Sequence, residues 1–203
     1  MIFSFTTILY LALLRIMEKL KNCILNEIVV DKYSMDKILS VFEPIQIYKG
    51  EFFLKSGSMC QQMAFIESGY LRMYDLVEGK EITLWIGSEG KFITSLSSFV
   101  FRTKNIWNIQ AITDCKLYVI SRDNHFELNK TEPKWLEFDN ILLANSYALL
   151  EKKMFSQLHT TAKQRFKSLL DENPDVFKNV PLQYIASMLG ITPESLSRLR
   201  RKI

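Results

Sequence analysis

The stretch VPLQYIASMLGITPESLSRLRRKI, residues 180–203, carries the strongest structural signals of the chain. Pro181 suits the first position of a helix, because a missing N–H costs nothing there. Gly190 follows the last apolar residue of that helix, where a left-handed residue commonly ends it. Thr192 is a good N-cap for a second helix, with Pro193 at its first position. The stretch therefore predicts two short helices joined by a glycine turn.

The second of these helices has an apolar face and a polar one. At about 100° per residue, Leu196, Leu199 and Ile203 share one side. The opposite side carries polar and charged residues, namely Glu194, Ser197, Arg198 and Arg201. A second helix of this kind enters the major groove in helix-turn-helix proteins, so we interpret the stretch as such a motif. An ordinary helical hairpin with a solvated basic end is the alternative, since amphipathicity alone allows it.

Composition limits the class of protein. With 203 residues, 48% of them hydrophobic, the chain is long enough for one or two domains with a sizeable core. The net charge is only +4, and the basic residues after Gly190 form a local patch, which fits contact with DNA better than a uniform excess would. Cys23, Cys60 and Cys115 are odd in number and widely spaced, which predicts no disulfide framework and a reducing cytoplasm.

The middle of the chain has the pattern of a β sandwich or barrel. Short apolar or alternating runs between residues 45 and 120 are separated by glycines. The pair Glu78-Gly79 predicts the tip of a hairpin. The candidate strands are 45–48, 51–54, 62–68, 70–77, 80–86, 91–93, 106–111 and 116–121.

Helical spacing of apolar residues marks the regions on either side. Residues 17–43 are predicted to be helical and to end at Pro44, and shorter helices are expected at 124–129 and 162–170. Residues 134–158 lack glycine and proline and predict one helix about 38 Å long. A helix of that length favours packing against its own copy in a two-fold dimer; a buried helix in a monomer is the alternative.

The first sixteen residues have a different character. Residues 1–14 carry no charge, but the run is shorter than the ~20 residues of a membrane span. It also lacks the basic leader and cleavage site of a secretory signal. We interpret residues 1–16 as an upstream extension, with translation starting near Met17. A membrane-associating tail is the alternative.

The order of these parts resembles the Crp/Fnr (cyclic-AMP receptor and anaerobic regulator) family of bacterial transcription factors over residues 17–203. The similarity is strongest in GEFFLKSGSMCQQMAFIESGYLRMY, AITDCKLYVISRDNHFEL and IASMLGITPESLSRLRR. It implies an α+β fold with an N-terminal double-stranded β-helix (jelly roll, cyclic-nucleotide-binding-like) sensor domain at 17–132. A long dimerisation helix at 133–160 and a helix-turn-helix DNA-binding domain at 161–203 would follow, without the β-hairpin wing that the family usually adds.

The resemblance also implies how DNA is bound. Bases would be contacted mainly from the positions of Glu194 and Arg198, since glutamate accepts from cytosine N4 and arginine forks onto guanine. Pro193 occupies a third such position but offers no polar group. Phosphate contacts are expected from Gln183, Thr192, Ser195, Ser197, Arg200, Arg201 and Lys202. The implied partners are a second copy of the chain, a two-fold symmetric double-stranded DNA site and, as a further candidate, RNA polymerase.

The nucleotide-binding residues of the family do not carry over to this sequence. Its ribose-binding Gly-Glu pair corresponds to Thr94-Ser95, and its phosphate-binding arginine pair to Asn105-Ile106. Without that arginine a buried phosphate lacks its bidentate partner, so we expect no useful affinity for cyclic AMP. The effector is then an unknown small molecule, and no cofactor is predicted. The degenerate pocket would include Thr94, Ser95, Arg102, Lys104 and Trp107.

Other functions are less well supported by the residues. An iron–sulfur sensor needs an N-terminal cysteine cluster, and only Cys23 is there. A haem sensor has only His125 and His159 to draw on, and both are expected to be surface or satisfied histidines. A cupin-type metalloenzyme needs several histidines, and residues 45–120 contain none. We therefore predict no metal site, no catalytic residues, no enzyme and no membrane partner. A β domain that acts only as a ligand- or protein-binding module stays open.

Overall fold

A computed structural model describes residues 17–201, and their fold is the α+β architecture predicted from the sequence. Helices α1 (Glu18–Leu25) and α2 (Lys32–Leu39) precede an eight-stranded β roll, and helices make up the rest. The predicted extension at 1–16 lies outside the described residues, as do Lys202 and Ile203.

The roll consists of two four-stranded antiparallel sheets. The first has the strand order β1-β8-β3-β6 and the second the order β2-β7-β4-β5, so sequence neighbours alternate between layers as in a double-stranded β-helix, except for β4 and β5, which form a hairpin in the second sheet. All eight predicted strands are present. Their bounds are β1 (Glu43–Ile47), β2 (Phe52–Leu54), β3 (Gln62–Ser68), β4 (Leu71–Val77), β5 (Lys80–Gly87), β6 (Phe92–Ile93), β7 (Asn108–Ala111) and β8 (Cys115–Ser121).

The predicted hairpin tip is confirmed. Glu78 and Gly79 connect β4 to β5 with φ of 51° and 77°. Two consecutive left-handed residues form the type I′ turn whose twist matches paired strands. The hairpin leaves β5 at the edge of the second sheet, where it is free to contact other elements.

Two expectations about the helical regions are wrong. Pro44 does not end a helix but lies in β1, opposite Tyr118. β1 is an edge strand, and such a strand tolerates a proline because alternate N–H groups point away from the sheet and need no partner in it. The predicted helical region 17–43 contains two separate helices, α1 and α2. The second starts after Asp31, whose carboxylate caps it by accepting from the Ser34 N–H at 3.0 Å. The α3 helix (Leu96–Phe101) was not predicted; six residues of mixed serine and apolar character form it between β6 and β7.

The main core lies between the two sheets, α1, α2 and the start of the long helix. That helix, α5 (Pro133–His159), follows α4 (Arg122–Thr131) and is 27 residues or ~40 Å long. Trp135 and Phe138 at its start are fully buried, and Trp135 meets Phe42 edge to face. Its later turns are largely exposed. Within residues 17–201, no helix is long and apolar enough to cross a membrane.

A second, smaller core holds the C-terminal helices together. These are α6 (Ala162–Glu172), α7 (Val176–Asn179), α8 (Leu182–Leu189) and α9 (Pro193–Arg200). The α6 helix starts with a capping box in which Thr161 and Gln164 bond reciprocally. The core joins buried residues of these helices to Ile86 and Ile112 of the roll. The C-terminal helices are therefore packed against the second sheet.

Candidate nucleic-acid interface and sensor cavity

The α8–turn–α9 unit is held by bonds at both sides of its turn. Gly190 adopts φ of +68° and ends α8, and the N–H of Ile191 donates to the Ala186 carbonyl at 3.0 Å. The Arg165 guanidinium donates to the Leu189 carbonyl at 3.0 Å, which places a cation at the negative end of α8. The Thr192 hydroxyl accepts from the Ser195 N–H at 3.2 Å and starts α9. The angle between the helices is thus fixed by local bonds.

Buried side chains anchor α9 from behind. Leu196 has no exposed surface, and Ile185 and Ala186 on α8 have none either. Ala186 is small where the two helices are in contact, which allows them to approach closely. Pro181 is the N-cap of α8 and not its first residue, so the helix starts at Leu182, one residue later than predicted. These contacts leave the opposite side of α9 free.

The free side of α9 carries Glu194 and Arg198, which are predicted to contact bases, and Arg201, which is predicted to contact phosphate. All three are exposed and follow one another at four- and three-residue spacing, so they share a face. The backbone N–H of Glu194 at the helix start, the Thr192 side chain and the Arg198 charge hold the pKa of the Glu194 carboxyl below its usual value. Glu194 is therefore ionised at neutral pH and accepts hydrogen bonds only.

The remaining candidates lie around this face. Pro193 and Arg200 are exposed on α9, and Gln183 is exposed on α8. Ser195 and Ser197 are half-buried. The Thr192 and Ser195 hydroxyls lie 3.2 Å apart within the cap, so their evident role is to start the helix. The contacts of all these residues with DNA stay predictions.

Ser187 joins α8 to the free edge of β5, a contact that was not predicted from the sequence. Its hydroxyl accepts from the Thr83 N–H at 2.9 Å and donates to the Glu81 carbonyl at 3.0 Å. One side chain thus satisfies a donor and an acceptor of an edge strand, groups that would otherwise need water or another strand. The two partners are over a hundred positions apart in sequence, so no local signal could have revealed the contact.

Arg72 forms a second missed contact between the roll and α8. It is almost completely buried on β4, and its guanidinium lies between the rings of Tyr74 and Tyr184, 3.9 and 3.8 Å from their centroids. It donates to Glu81 at 2.6 Å and to Gln110 at 2.9 Å. An arginine within the apolar strand LRMYDLV was the only sequence hint of this role. The C-terminal helices are therefore joined to the roll by a buried cation.

At the positions of the family's nucleotide-binding pairs, Asn105 and Thr94 are hydrogen-bonded to other residues of the roll. The Asn105 side chain accepts from the Trp107 N–H at 2.8 Å and donates to the Trp107 and Lys55 carbonyls. The Thr94 hydroxyl donates to the Gln62 carbonyl at 3.1 Å. Ser95 is buried, and its hydroxyl has no partner among the described residues. Asn105 therefore locks a turn and cannot replace an arginine as a phosphate ligand.

The other residues of the predicted pocket point elsewhere. Arg102 is exposed in a left-handed conformation at the end of α3, 3.8 Å from Asp123. Lys104 is exposed, and Trp107 is half-buried. Of the five residues predicted for the pocket, only Thr94 lines the cavity described next. The loop that Asn105 locks holds Lys104 and Trp107 away from it.

A cavity of about 500 Å³ lies between the roll and α5. The roll contributes apolar residues such as Met63, Met73, Trp85 and Phe92, and α5 contributes a stripe from Leu136 to Lys153. Lys153 is half-buried at one end, and its ammonium donates to the Leu84 carbonyl. Burial lowers the pKa of Lys153 to about 8. The burial of Lys153 was not predicted from the sequence, because the strand residues that surround it are distant from it along the chain.

The other end of the cavity is closed by a buried polar cluster. His125 Nε2 lies 3.1 Å from Asp139 Oδ1, and the Asn129 amide donates to Asp139 Oδ2 at 3.2 Å. His125 Nδ1 and Asn129 Oδ1 are buried with no partner among the described residues. His125 is thus buried and bonded through one nitrogen, whereas His159 is exposed and bonds the Phe155 carbonyl. No group of three or more metal-ligating side chains stands together in residues 17–201, so the cupin-type alternative gains no support.

Comparison with known proteins agrees with this geometry. Residues 44–132 match the cyclic nucleotide-binding domain family. No curated protein matches the chain in sequence. The resemblance to Crp/Fnr-type regulators is confirmed at the level of this domain and of the whole fold.

Three solved structures illustrate the similarity. FixK2 from Bradyrhizobium japonicum matches with a TM-score of 0.68 and 16% identity over 80% of this chain and 84% of its own. A variant of CooA from Carboxydothermus hydrogenoformans gives 0.64 and 20% over 81% and 77%. A protein described as a transcriptional regulator of the crp/fnr family from Eubacterium rectale gives 0.64 and 20% over 85% and 83%.

Proposed function

From its cyclic nucleotide-binding domain and its Crp/Fnr-type architecture, we propose that the chain is a homodimeric transcription regulator that binds a two-fold symmetric DNA site. The exposed face of α9, with Glu194, Arg198 and Arg201 in a row, is the observation that carries this proposal. Ionised glutamate pairs with cytosine and arginine with guanine in the major groove. The other candidates around α9, and Lys202 beyond it, add phosphate contacts.

The exposed part of α5 supports the dimer. Apolar side chains follow one another at spacings of four, three, four and four residues, so they form a stripe along one side of the helix. They are Leu143, Tyr147, Leu150, Met154 and Leu158, with 39 to 80% of their surface exposed. An apolar stripe of this extent marks an interaction surface. The same stripe on a second copy is its simplest partner, and two-fold symmetry then gives two α9 helices.

The roll acts as the sensor domain, but cyclic AMP is not its effector. Asn105 stands at the arginine position, and its amide is used within the turn. A phosphate there would be desolvated without a bidentate partner. We place the protein in the cytoplasm, where DNA is accessible and where Cys23, Cys60 and Cys115 stay free thiols. Calorimetry with cyclic AMP should give no binding at micromolar ligand.

Selection of bound duplexes from a random pool tests the function. We expect two inverted half-sites about one helical turn apart. Arg198→Ala should weaken binding by about 1–3 kcal/mol and relax preference at one base pair. Lys32→Ala removes an exposed charge on α2 and is the matched control, with no expected effect. If Arg198→Ala weakened binding equally for every duplex sequence, Arg198 would contact phosphate only. If the selection enriched no duplex sequence, DNA recognition would be contradicted.

The dimer can be tested separately. Tyr147→Glu places a charge in the middle of the apolar stripe. In analytical ultracentrifugation the original chain should sediment as a dimer and this variant as a monomer. Lys152→Ala changes an exposed residue of the same helix about 140° around the axis from Tyr147, away from the stripe, so it should leave the mass unchanged. A dimer that tolerates Tyr147→Glu would contradict the use of this surface.

A further inference from the structure

The cavity between the roll and α5 has an apolar wall and a cation at one end. Lys153 is the one lysine or arginine among the described residues that line it. Within residues 17–201, Lys153 forms no ion pair with a carboxylate, and its ammonium donates to the Leu84 carbonyl. Two of the three ammonium protons are therefore available to a ligand.

The cavity is long relative to its volume. Asp139 and Lys153 both line it and are fourteen positions apart on α5, or about 21 Å along the helix axis. A volume of about 500 Å³ spread over that length is a narrow slot. Between the two ends the helix contributes mainly leucines, and the roll faces them with methionine and aromatic side chains. The slot therefore suits a single extended apolar chain better than a compact polar molecule.

The two ends of the slot differ in charge, which sets the direction of a ligand. Asp139 at the far end is held by His125 and Asn129, and its carboxylate would repel a second anion. Lys153 at the near end would attract one. An anion with a long apolar body thus has one favoured orientation.

We propose that this slot binds a long-chain aliphatic carboxylic acid, with the carboxylate on Lys153 and the hydrocarbon chain extending along α5 towards Phe99. The charge-assisted hydrogen bond fixes the head of the ligand, and the buried chain contributes affinity in proportion to its length. That such an acid is the effector rests on the proposed function; the binding itself does not. Lys153 also bonds β5, the strand that Ser187 connects to α8, so the ligand would contact the roll close to the DNA-binding helices.

Binding of straight-chain acids from octanoate to hexadecanoate to the full chain tests the proposal. Trp85 lines the slot, so tryptophan fluorescence should report a saturable change at one acid per chain. Each added CH₂ should tighten binding about threefold to fourfold until the chain fills the slot. Equal affinity for all chain lengths, or many acids bound per chain, would overturn the proposal.

Charge is tested with matched variants and a matched ligand. Lys153→Met keeps a long side chain without the ammonium and should weaken dodecanoate binding about tenfold to a hundredfold, while 1-dodecanol binds both proteins alike. Lys153→Arg should retain most of the affinity. Lys152→Met, on the adjacent and exposed position, is the control and should change nothing. Equal loss for acid and alcohol would show a structural effect and contradict the assigned pair.

Leu143 and Leu150 line the slot and also belong to the apolar stripe proposed as the dimer surface, so a second copy of α5 is the other candidate occupant of the slot. If it fills the slot in the dimer, the original chain will not bind the acid, while the Tyr147→Glu variant will; that outcome would overturn the proposal. Binding by both supports it. DNA binding is measured without the acid, so failure of one hypothesis is distinguishable from failure of the other.

Discussion

The basic face of α9 and the slot beside α5 both use cations, but under opposite physical conditions. Arg198 is exposed to solvent, whereas Lys153 is half-buried against apolar side chains and has no carboxylate partner among residues 17–201. An exposed cluster of cations favours a polyanion, because it releases many counterions at once. A single desolvated cation favours one carboxylate with an apolar body. The same kind of charge thus selects different ligands because the surroundings differ.

Strand β5 lies between these two regions. Its edge is bonded to Ser187 of α8, and its residues Leu84 and Trp85 line the slot. A change in either region that moves β5 would reach the other. Substitutions that disturb one region and leave the other intact therefore test whether β5 connects them.

The largest expected effect comes from the core behind α9. Leu196→Ala removes a side chain with no exposed surface and should cost about 2–5 kcal/mol of unfolding free energy in urea. DNA binding should be lost while dodecanoate binding stays. Val29→Ala, at a side chain that is 87% exposed, is the control and should change stability by less than about 0.5 kcal/mol. Loss of both binding activities would show that the regions do not fold separately.

A smaller effect is expected where the regions meet. Arg72→Met keeps the size of the side chain but removes the bonds to Glu81 and Gln110 and the contact with Tyr184, which should cost about 1–3 kcal/mol. Arg102→Met, at an arginine that is mostly exposed, should cost less than about 0.5 kcal/mol. Urea unfolding compares the two. Equal small losses would mean that the buried arginine does not stabilise the junction.

The smallest effect is a pH dependence that isolates Lys153. Burial lowers the pKa of Lys153 to about 8 from the usual 10.5 of a lysine, so between these values the unfolded chain binds more protons than the folded one. The stability of the original chain should therefore rise with pH across that window, relative to Lys153→Met. We expect under about 1 kcal/mol, because the half-buried ammonium keeps some contact with water. A constant difference between the two proteins would contradict a desolvated lysine.

The parts predicted from the sequence are those with local signals. Gly190, Thr192 and the apolar spacing around Leu196 determine the α8–α9 unit within a few residues, and Glu78-Gly79 determines the hairpin. Pro44 misled because a proline ends helices but is also tolerated in an edge strand. The α3 helix was missed because its six residues are too few to show a period.

The candidate sites were less predictable where they depend on tertiary contacts. Asn105 was identified as a replacement for arginine, but its role in locking a turn needed the structure. Arg102 and Lys104 are near the pocket in sequence yet face away from it. Lys153 and Ser187 act through β5, which is about seventy and over a hundred positions distant, and no pattern within a helix reports such a partner.

The most direct test of the central claim is the dissociation constant for the selected duplex, measured from about 50 to 300 mM salt. The account predicts a linear fall of log affinity with log salt, with a slope of several, because Arg200, Arg201 and Lys202 of each chain are expected to contact phosphates of its half-site. It also predicts that Arg198→Ala keeps most of that slope while losing sequence preference. Binding that is indifferent to salt, or absent for every duplex, would contradict a DNA-binding role for α9.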